Sequence, residues 1–430
     1  MTTTGRGISD SDSANRSPRR EKSLGHGSGM GKVIQLTNGP PRPLRVATVV
    51  ARLEGGAGMM ALRGAEALDP ALFAMTIVTG SGERLIAKAR DAGLEVILEP
   101  TLRADIVPPA DIASFRRLVR IFKERQFDIV HTHCSKAGAI GRVAARRSQV
   151  GAIVHTYHGF AFHQFQSQVR RESYVRIERR LGQITDVAFC VGSGVAAEAA
   201  RRSLIAPDRI RTIGVAVDTA QAARASMSAR DTAAKRRARV ALGLPFEAKV
   251  IGSVGRLTYQ KAPEDFVAAL AKLARPDVVG VWIGEGELAG RVEQLAKSHP
   301  GVRIVLAGER SDVLAVLAAF DLFALTSRYE GLPTAVVEAM ICGVPVVATA
   351  VNAVPDVVIA GQTGLLVPPQ RPDMMAMALG HLLDAPSVAA EMAVRARAHV
   401  GERYSESALR DSLASTYAAL SPVLQRARQT

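Results

Sequence analysis

Short apolar runs alternate along most of the chain with longer stretches in which apolar residues recur at helical spacing. The apolar runs predict buried strands at 44–50, 74–79, 95–98, 128–132, 152–156 and 186–191, and again at 249–254, 279–283, 303–306, 322–325, 344–348 and 365–367. Helical patterns lie between them, notably at 59–68, 112–125, 170–181 and 406–420. Strands that alternate with helices indicate parallel sheets covered by helices, which is the doubly wound α/β class.

The strands divide into two series, and each series is long enough for one doubly wound domain. The first series predicts a domain at residues 44–218 and the second a domain at residues 246–404. Residues 219–245 begin with a stretch rich in alanine, arginine, serine and lysine and predict a linker or an inserted helix, and residues 405–430 predict a final helix with its tail. Residues 1–43 have few apolar side chains and predict a disordered tail. Because doubly wound sheets bind ligands at the carboxyl ends of their strands, we expect a ligand cleft between the two domains.

The composition is that of a globular protein. Hydrophobic residues make up 47% of the 430 residues, mean hydropathy is +0.10, and no apolar run reaches the roughly 18 residues of a membrane span. The first residues lack the charged-then-apolar pattern of a signal peptide. The three cysteines lie far apart, without metal-ligand spacing, and predict reduced thiols. We therefore expect a cytoplasmic protein.

Positive charge is concentrated in the first half of the chain. Residues 44–215 hold 25 basic and 16 acidic residues, whereas residues 216–430 hold 23 and 21, within a formal net charge of +15. Much of the excess lies on two predicted helical stretches, 114–125 and 169–180. The apolar residues of the first stretch recur at helical spacing, so its arginines face outward. Two interpretations remain open: a solvated basic face, or a peripheral contact with an anionic membrane surface.

The most informative stretch lies between two predicted strands of the second series. Glu330 follows the first of these strands, Gly331 breaks it, and Pro333 suits the first turn of a helix, where its missing N–H costs nothing. Glu338 follows about one and a half turns into that helix. The free amides of the first turn form an anion site. These amides lie near Leu332, Thr334 and Ala335.

An anion site flanked by two carboxylates suits a ligand that carries both phosphates and hydroxyls, such as a nucleotide sugar. An ordinary strand–helix–strand unit with two surface glutamates fits the same residues, so the pattern alone leaves both interpretations open. Three features go further: Glu-Gly-Leu-Pro at 330–333, two glutamates with seven residues between them, and Gly-Val-Pro-Val-Val-Ala-Thr at 343–349. Together they resemble the signature of the retaining glycosyltransferases of family 4. The resemblance covers roughly residues 44 to 420, and it implies the GT-B fold, two Rossmann-like domains that face a central cleft.

The resemblance also implies roles for residues around a nucleotide-sugar donor. Breaking a sugar–phosphate bond leaves negative charge on the diphosphate, which cations and N–H dipoles stabilise. Arg256 and Lys261, with four residues between them, match the family's diphosphate-binding pair. Glu330 is expected to bind hydroxyls of the transferred sugar, Glu338 those of the ribose, and the amides after Gly331 the diphosphate. Solvated surface cations are the open alternative for these two residues.

Four histidines end two neighbouring strands: His131, His133, His155 and His158. They do not have the spacing of zinc ligands on a helix and lack a nearby acidic residue, so no zinc site is predicted. In the family, the second histidine of the sequence His-Thr-x-His-Gly faces the donor sugar, and this position is His158. His131 and His133 are expected to be structural or to lie on the acceptor side, and His155 to be structural.

Two loops complete the expected site. The glycine-rich loop at 55–58 follows the first strand, where close approach of a phosphate or an acceptor requires small residues. It is a weak dinucleotide fingerprint, and a simple tight turn is an open alternative. The resemblance assigns Gly56 to the diphosphate and acceptor, and it places the backbone near Arg310 beside the nucleobase.

These expectations combine into a retaining glycosyltransferase of polysaccharide or glycolipid synthesis. The donor, with a UDP-sugar favoured, binds mainly the second domain, and the hydroxyl acceptor, which can be lipid-linked, binds mainly the first. Two cations and a helix N-terminus serve the diphosphate and no Asp-x-Asp motif lies at a predicted strand end, so neither a metal nor another cofactor is expected.

One loop differs from the family pattern, and two other functions remain as alternatives. The chain has Asn-Ala-Val-Pro-Asp at 352–356 where the family often has Gly-Gly-x-x-Glu, which leaves the contacts of that loop open. Two alternatives also remain: a nucleotide-sugar epimerase on the same fold, and a non-enzymatic nucleic-acid-binding protein suggested by the pI of about 10.3. The chain contains no recognised nucleic-acid-binding motif, so we expect no nucleic-acid partner.

Overall fold

The structure, a computed structural model, describes residues 42–163, 165–215, 217, 232–401 and 403–427, with side chains as far as residue 420. Most of the predicted tail and the first part of the predicted linker lie outside these residues. Within them, no helix is long and apolar enough to cross a membrane. The chain from Arg42 onward forms one compact unit that contains two parallel sheets.

The first sheet has seven strands: β1 (Leu44–Arg52), β2 (Phe73–Ser81), β3 (Glu95–Leu98), β4 (Ile129–His133), β5 (Ala152–Tyr157), β6 (Val187–Cys190) and β7 (Ile210–Thr212). Its helices are α1 (Gly55–Ala67), α2 (Glu83–Asp91), α3 (Pro108–Arg125), α4 (Ser135–Arg147), α5 (Gln168–Gln183) and α6 (Ser193–Arg201), with a 3-10 turn at Pro207–Arg209. The strands are parallel, in the order β3-β2-β1-β4-β5-β6-β7. The direction of winding reverses between β1 and β4, the position at which doubly wound sheets bind ligands.

The second sheet has six strands: β8 (Lys249–Val254), β9 (Val278–Ile283), β10 (Ile304–Leu306), β11 (Leu322–Leu325), β12 (Val346–Thr349) and β13 (Leu365–Val367). Its helices are α7 (Thr232–Ala241), α8 (Pro263–Leu273), α9 (Ala289–Lys297), α10 (Val313–Val316), α11 (Thr334–Ile341), α12 (Val354–Val357), α13 (Pro372–Asp384) and α14 (Pro386–Val400), with a 3-10 turn at Leu317–Ala319. The strands are again parallel, in the order β10-β9-β8-β11-β12-β13, and the winding reverses between β8 and β11.

The central strands are buried on both faces, which explains their continuous apolar runs. Every residue of β5, β9 and β11 is buried. Trp282 on β9 packs its ring edge-to-face against Phe266, with 5.5 Å between ring centroids. A Cβ on Gly252 of β8 would overlap the Phe320 ring, so this strand position requires glycine for Phe320 to pack against the sheet. Burial of such side chains supplies about 1.5–3 kcal/mol each, and fixes the two sheets that carry the cleft.

The last helix, α15 (Glu406–Ala427), returns to the first sheet and packs on α1. Gly64 of α1 admits the helix closely, because a Cβ there would lie 3.0 Å from Leu413. The buried Tyr417 of α15 reaches further and hydrogen-bonds His131 at the end of β4, with 2.6 Å between its hydroxyl and Nδ1. Helix α15 therefore contributes a hydrogen bond to a polar side chain of the first sheet.

The sequence pattern predicts every strand except β7, which is only three residues long. Helix α1 begins at Gly55, earlier than the predicted residue 59, because the glycine loop itself forms its first turn. Pro333 is the residue before α11 and not part of its first turn. Arg42, assigned to the tail, donates two hydrogen bonds of 2.9 and 3.0 Å to Asp128.

Candidate active site

Polar residues at the carboxyl ends of strands in both sheets meet in one cleft. A Cβ on Gly331, just before α11, would overlap the carbonyl oxygen of His158, just after β5. A Cβ on Gly56, in the first turn of α1, would lie 3.6 Å from the Thr334 hydroxyl that begins α11. Both positions allow the second domain's helix N-terminus to lie against the first domain's backbone. The structure therefore brings together His158, Gly331, Gly56 and Thr334, as the sequence predicts for one site.

Lys261 and Glu330 form a buried ion pair at the centre of the cleft. The Lys261 ammonium lies 2.5 Å from a Glu330 carboxylate oxygen, which also accepts a hydrogen bond of 2.5 Å from Ser327. The Glu330 amide in turn donates to the Asn352 side-chain oxygen at 3.0 Å. The Glu330 side chain is 5% exposed and that of Lys261 is 18% exposed. The two side chains thus pair opposite charges in a site nearly closed to water.

Arg256 lies on the same loop as Lys261, but its side chain is exposed. Among the described residues it takes part in no ion pair, so its guanidinium remains available to an anion. The indole N–H of buried Trp282 donates a 2.7 Å hydrogen bond to the Gly255 carbonyl and thereby fixes this loop. The sequence does not predict this role of Trp282, because its hydrogen-bond partner is a backbone atom 27 residues away.

The N-terminus of α11 presents its first amides to the cleft. Pro333 occupies the N-cap position, and its extended backbone leaves the first-turn N–H groups without a side-chain cap. Thr334 and Ala335 are the first two residues of the helix, and the Leu332 side chain is buried. Gly331, Leu332, Thr334 and Ala335 thus surround an uncapped helix end beside Glu330, an arrangement that suits an anion.

Glu338 lies one turn deeper along α11 and is half-buried. Burial raises the pKa of this carboxyl to about 7, and Arg63 of α1 opposes part of that increase. Its charge therefore changes within the physiological pH range, unlike that of an ordinary glutamate.

The histidines form a connected cluster in the first domain. His133 Nδ1 lies 2.9 Å from His158 Nε2, and the His131 ring stacks on His133 with centroids 4.4 Å apart. His131 also bonds the Thr156 hydroxyl at 2.7 Å, and His155 bonds Thr132. Burial lowers the pKa of His131 to about 3 and that of His158 to about 4, and lowers the pKa values of the other two. All four rings are therefore neutral at neutral pH, and His133 directly supports His158.

A second buried network lies behind His158. Arg142 of α4 is fully buried and donates a 2.8 Å hydrogen bond to Glu178 of α5, while the Tyr157 hydroxyl donates to the same carboxylate at 3.1 Å. Tyr157 is the last residue of β5 and immediately precedes His158. The network therefore fixes the strand end from which His158 extends.

Two predicted contacts lie at the edge of the site. Arg310 follows the loop in which Gly284 N–H bonds the Gly308 carbonyl at 2.8 Å, and its guanidinium forms two hydrogen bonds with Asp312. In the loop at 352–356, Asp356 accepts hydrogen bonds from the Ser193 amide and hydroxyl at the start of α6. This loop, whose sequence differs from the usual family pattern, thus joins the two domains. No group of three or more potential metal-ligating side chains occurs among residues that the structure describes.

The chain matches two family models, one for each half. The model described as Glycosyltransferase Family 4 matches residues 54–221, and the model described as Glycosyl transferases group 1 matches residues 234–399. Together these segments include most of both sheets.

Two relatives show the same similarity at the level of whole proteins. The UDP-Gal:alpha-D-GlcNAc-diphosphoundecaprenol alpha-1,3-galactosyltransferase of Escherichia coli is 32% identical over 268 residues, which are 61% of this chain and 68% of that enzyme. The D-inositol 3-phosphate glycosyltransferase of Mycobacterium avium (strain 104) is 32% identical over 305 residues, 68% of this chain and 69% of that enzyme. The matches therefore span about two thirds of each relative.

Solved structures confirm the predicted architecture of two Rossmann-like domains. HepE of Anabaena, solved in complex with UDP and glucose, superposes with a TM-score of 0.75 at 18% identity over 87% of this chain and 100% of that one. Sucrose-phosphate synthase of Thermosynechococcus elongatus gives a TM-score of 0.73 at 21% identity over 88% of this chain and 99% of that one. At these identities the likeness is one of fold.

Proposed function

The chain belongs to the retaining glycosyltransferases of family 4 and has their GT-B fold, and on this premise we propose that it transfers a sugar from a UDP-sugar to a hydroxyl of a lipid-linked acceptor. The family assignment makes it a nucleotide-sugar-dependent enzyme of glycolipid or polysaccharide synthesis. The choice of UDP and of a lipid-linked acceptor draws support from the Escherichia coli relative, whose name contains both. The epimerase and nucleic-acid-binding alternatives draw no support from the relatives.

One observation carries the proposal: the Lys261–Glu330 ion pair lies beside the uncapped N-terminus of α11 and opposite His158 and Gly56. This arrangement places a cation and helix amides where a diphosphate would lie, and a carboxylate and a neutral histidine where a sugar would lie. A donor that enters the cleft can accept hydrogen bonds from the ammonium through its phosphate oxygens, while Glu330 accepts hydrogen bonds from the sugar hydroxyls.

The proposed chemistry stabilises the leaving group. As the bond between the sugar and the diphosphate breaks, negative charge grows on the departing phosphate, and Arg256, Lys261 and the α11 amides stabilise it. Neutral His158 is placed to hydrogen-bond the sugar without adding charge that repels the positive character of its anomeric carbon. The acceptor oxygen attacks on the face that the diphosphate leaves, and a departing phosphate oxygen takes the acceptor proton, so no enzyme nucleophile is required.

The test is a panel of UDP-, GDP- and ADP-sugars. Thermal shift measures binding, and release of the free nucleotide measures slow donor hydrolysis in the absence of acceptor. We expect at least one UDP-sugar to stabilise the protein and to be hydrolysed, with smaller effects from GDP- and ADP-sugars. A response confined to GDP- or ADP-sugars would contradict the choice of UDP, and no response to any member would contradict the proposed donor site.

We further propose that the reaction needs no divalent metal, because two cations and a helix N-terminus already serve the diphosphate. Donor hydrolysis and transfer are expected to retain their rates in EDTA, measured by nucleotide release with and without chelator. Complete loss of activity in EDTA that Mn²⁺ or Mg²⁺ restores would contradict this prediction.

We also propose that the enzyme works at the inner surface of a membrane, through the face formed by α3, α4 and α5, which pack side by side. This face, the basic face, exposes cations on α3 and α5, and apolar side chains on or next to all three helices. The exposed cations include Arg116, Arg120, Lys123, Arg170, Arg176 and Arg180. The exposed apolar side chains are Ile106, Ile112, Val143, Val169 and Ile177. On α3, Leu118 and Phe122 are buried, as the sequence pattern predicts, so its cations face outward.

The proposal predicts salt-sensitive binding to anionic vesicles, because each cation gains about 1 kcal/mol near an anionic leaflet. Co-sedimentation with anionic and neutral liposomes at low and high salt measures it. Replacing Arg116, Arg120 and Lys123 by alanine should weaken binding at low salt by about 100-fold. The matched control, alanine at Lys249, Lys272 and Lys297 of the second domain, removes the same charge and should have little effect. Equal partitioning to both lipids, or none to either at low salt, would contradict the proposal.

A further inference from the structure

Four aromatic rings meet at the mouth of the cleft, contributed by both domains. His163 and Phe165 follow β5 in the first domain, and Tyr259 and Tyr329 belong to loops of the second; we call these four residues the aromatic rim. His163 stacks on Tyr329 with 4.4 Å between centroids and 10° between planes. Tyr259 lies 6.5 Å from His163 and 6.4 Å from Phe165. The rim therefore forms one continuous group that crosses the cleft.

The rim is not part of either domain's core. His163, Phe165 and Tyr329 are half-buried, and Tyr259 is 44% exposed. Aromatic rings that serve only to stabilise a fold are normally buried, because removing their large apolar area from water is favourable. Half-exposed rings gathered at a cleft are typical of ligand sites, which combine aromatic walls with a few polar groups.

The two tyrosines are held in place by their neighbours. The Arg328 guanidinium lies 4.1 Å from the centre of the Tyr259 ring and is also paired with Glu264 and Asp265 at 4.0 and 3.7 Å. The Gln260 side chain donates a 3.1 Å hydrogen bond to the Tyr329 carbonyl. The rings are thus presented in fixed positions, so the protein would lose little side-chain conformational entropy when a ligand packs on them.

The rim borders the place assigned to the transferred sugar. Tyr329 immediately precedes Glu330, and Tyr259 lies between Arg256 and Lys261 on the diphosphate loop. The loop that carries His163 begins at His158. The rim therefore lies next to the residues assigned to the donor sugar and to the diphosphate.

We propose that the aromatic rim binds the sugar ring of the acceptor, an inference that rests on the proposed function. An acceptor must place a hydroxyl beside the donor sugar, and the rim adjoins the residues assigned to that sugar. The apolar C–H face of a neutral sugar packs on aromatic rings, whereas its hydroxyls need polar partners at the edge, and Tyr259 and Tyr329 supply hydroxyls there. Arg328, whose guanidinium lies over the Tyr259 ring, is already engaged with two carboxylates, and Arg256 is assigned to the donor diphosphate, so the rim suits a neutral sugar better than a phosphate.

The experiment measures sugar binding and donor chemistry separately. Saturation-transfer NMR, in the presence of UDP, follows the methyl α-glycosides of N-acetylglucosamine, N-acetylgalactosamine, glucose, galactose and mannose. We expect at least one glycoside to bind wild type, and His163→Leu and Tyr259→Leu each to weaken it by about 3- to 10-fold. The matched control is Phe246→Leu, which removes a ring of similar exposure, 42%, from outside the cleft and should leave glycoside binding unchanged.

Donor hydrolysis without acceptor distinguishes the possible failures. If wild type hydrolyses a UDP-sugar but binds no glycoside, or if both rim variants bind glycoside as wild type does, the rim proposal is wrong while the proposed function stands. If the rim variants lose donor hydrolysis and glycoside binding to the same extent, the rings act by holding the domains together, and the proposal is again overturned. Absence of donor hydrolysis in wild type would instead count against the proposed function.

Discussion

Replacement of Lys261 by alanine is expected to lower turnover by at least about 100-fold, the cost of one electrostatic contact to a charge that develops in the transition state. The same substitution leaves Glu330, 5% exposed, without its cation, so the carboxylate becomes a second source of loss. Folding should survive, because Ser327 and Gln260 still donate hydrogen bonds to that carboxylate. The measurement is donor hydrolysis under saturating donor, together with thermal unfolding.

Two further variants isolate the role of the pair. Lys297→Ala removes an exposed lysine of α9 and should retain wild-type turnover. The double variant Lys261→Ala with Glu330→Gln removes the uncompensated charge, so it should recover the stability that Lys261→Ala loses without recovering turnover. Wild-type turnover in Lys261→Ala would remove Lys261 from the proposed mechanism.

Replacement of Glu338 by glutamine is expected to stabilise the unliganded protein and weaken donor binding. The folded-state pKa of about 7 lies above the ordinary glutamate value of 4.5, so the folded protein binds more protons between these values and wild-type stability falls as pH rises through that window. The penalty is fully present above pH 7 and absent below about pH 4.5. Because glutamine does not titrate, Glu338→Gln should be more stable than wild type at pH 8, by at most about 3 kcal/mol.

Glu338→Gln should weaken donor binding although it stabilises the unliganded protein. A carboxylate can accept hydrogen bonds from two ribose hydroxyls, and charge-assisted bonds are stronger than those to a neutral amide. UDP should therefore bind Glu338→Gln about 10-fold more weakly than wild type at pH 8, and the difference should narrow towards pH 6. Isothermal calorimetry at both pH values and unfolding over pH 5–8 provide the measurements. A destabilised variant with unchanged affinity for UDP would contradict both the buried charge and the ribose contact.

The alternation of strands and helices was predictable because strands buried on both faces leave continuous apolar runs, as in β8 and β11. The candidate site was predictable where chemistry is local in sequence: Glu330, Gly331 and the N-terminus of α11 lie within a few residues of one another. Even here, Gly331 must be glycine because the His158 carbonyl of the other domain lies against it. The sequence of one strand–helix unit does not show that contact.

Contacts between distant segments could not be predicted in the same way. Lys261 and Glu330 lie 69 residues apart, and Tyr417 and His131 lie 286 apart. Each residue has an ordinary local role, a cation in a loop or an aromatic residue in a helix, and only the packing of whole elements brings the partners together. The aromatic rim illustrates this best, because its four rings come from three separate loops on two domains.

We propose above all that this cleft transfers a sugar from a UDP-sugar with retention of configuration. The most direct measurement is NMR of the free sugar that the enzyme first releases from an α-linked UDP-sugar. The spectrum is recorded before the α and β anomers of that sugar equilibrate. We expect an α-configured product from wild type and strongly reduced product from Lys261→Ala. A β-configured first product, or equal product from the two proteins, would contradict it.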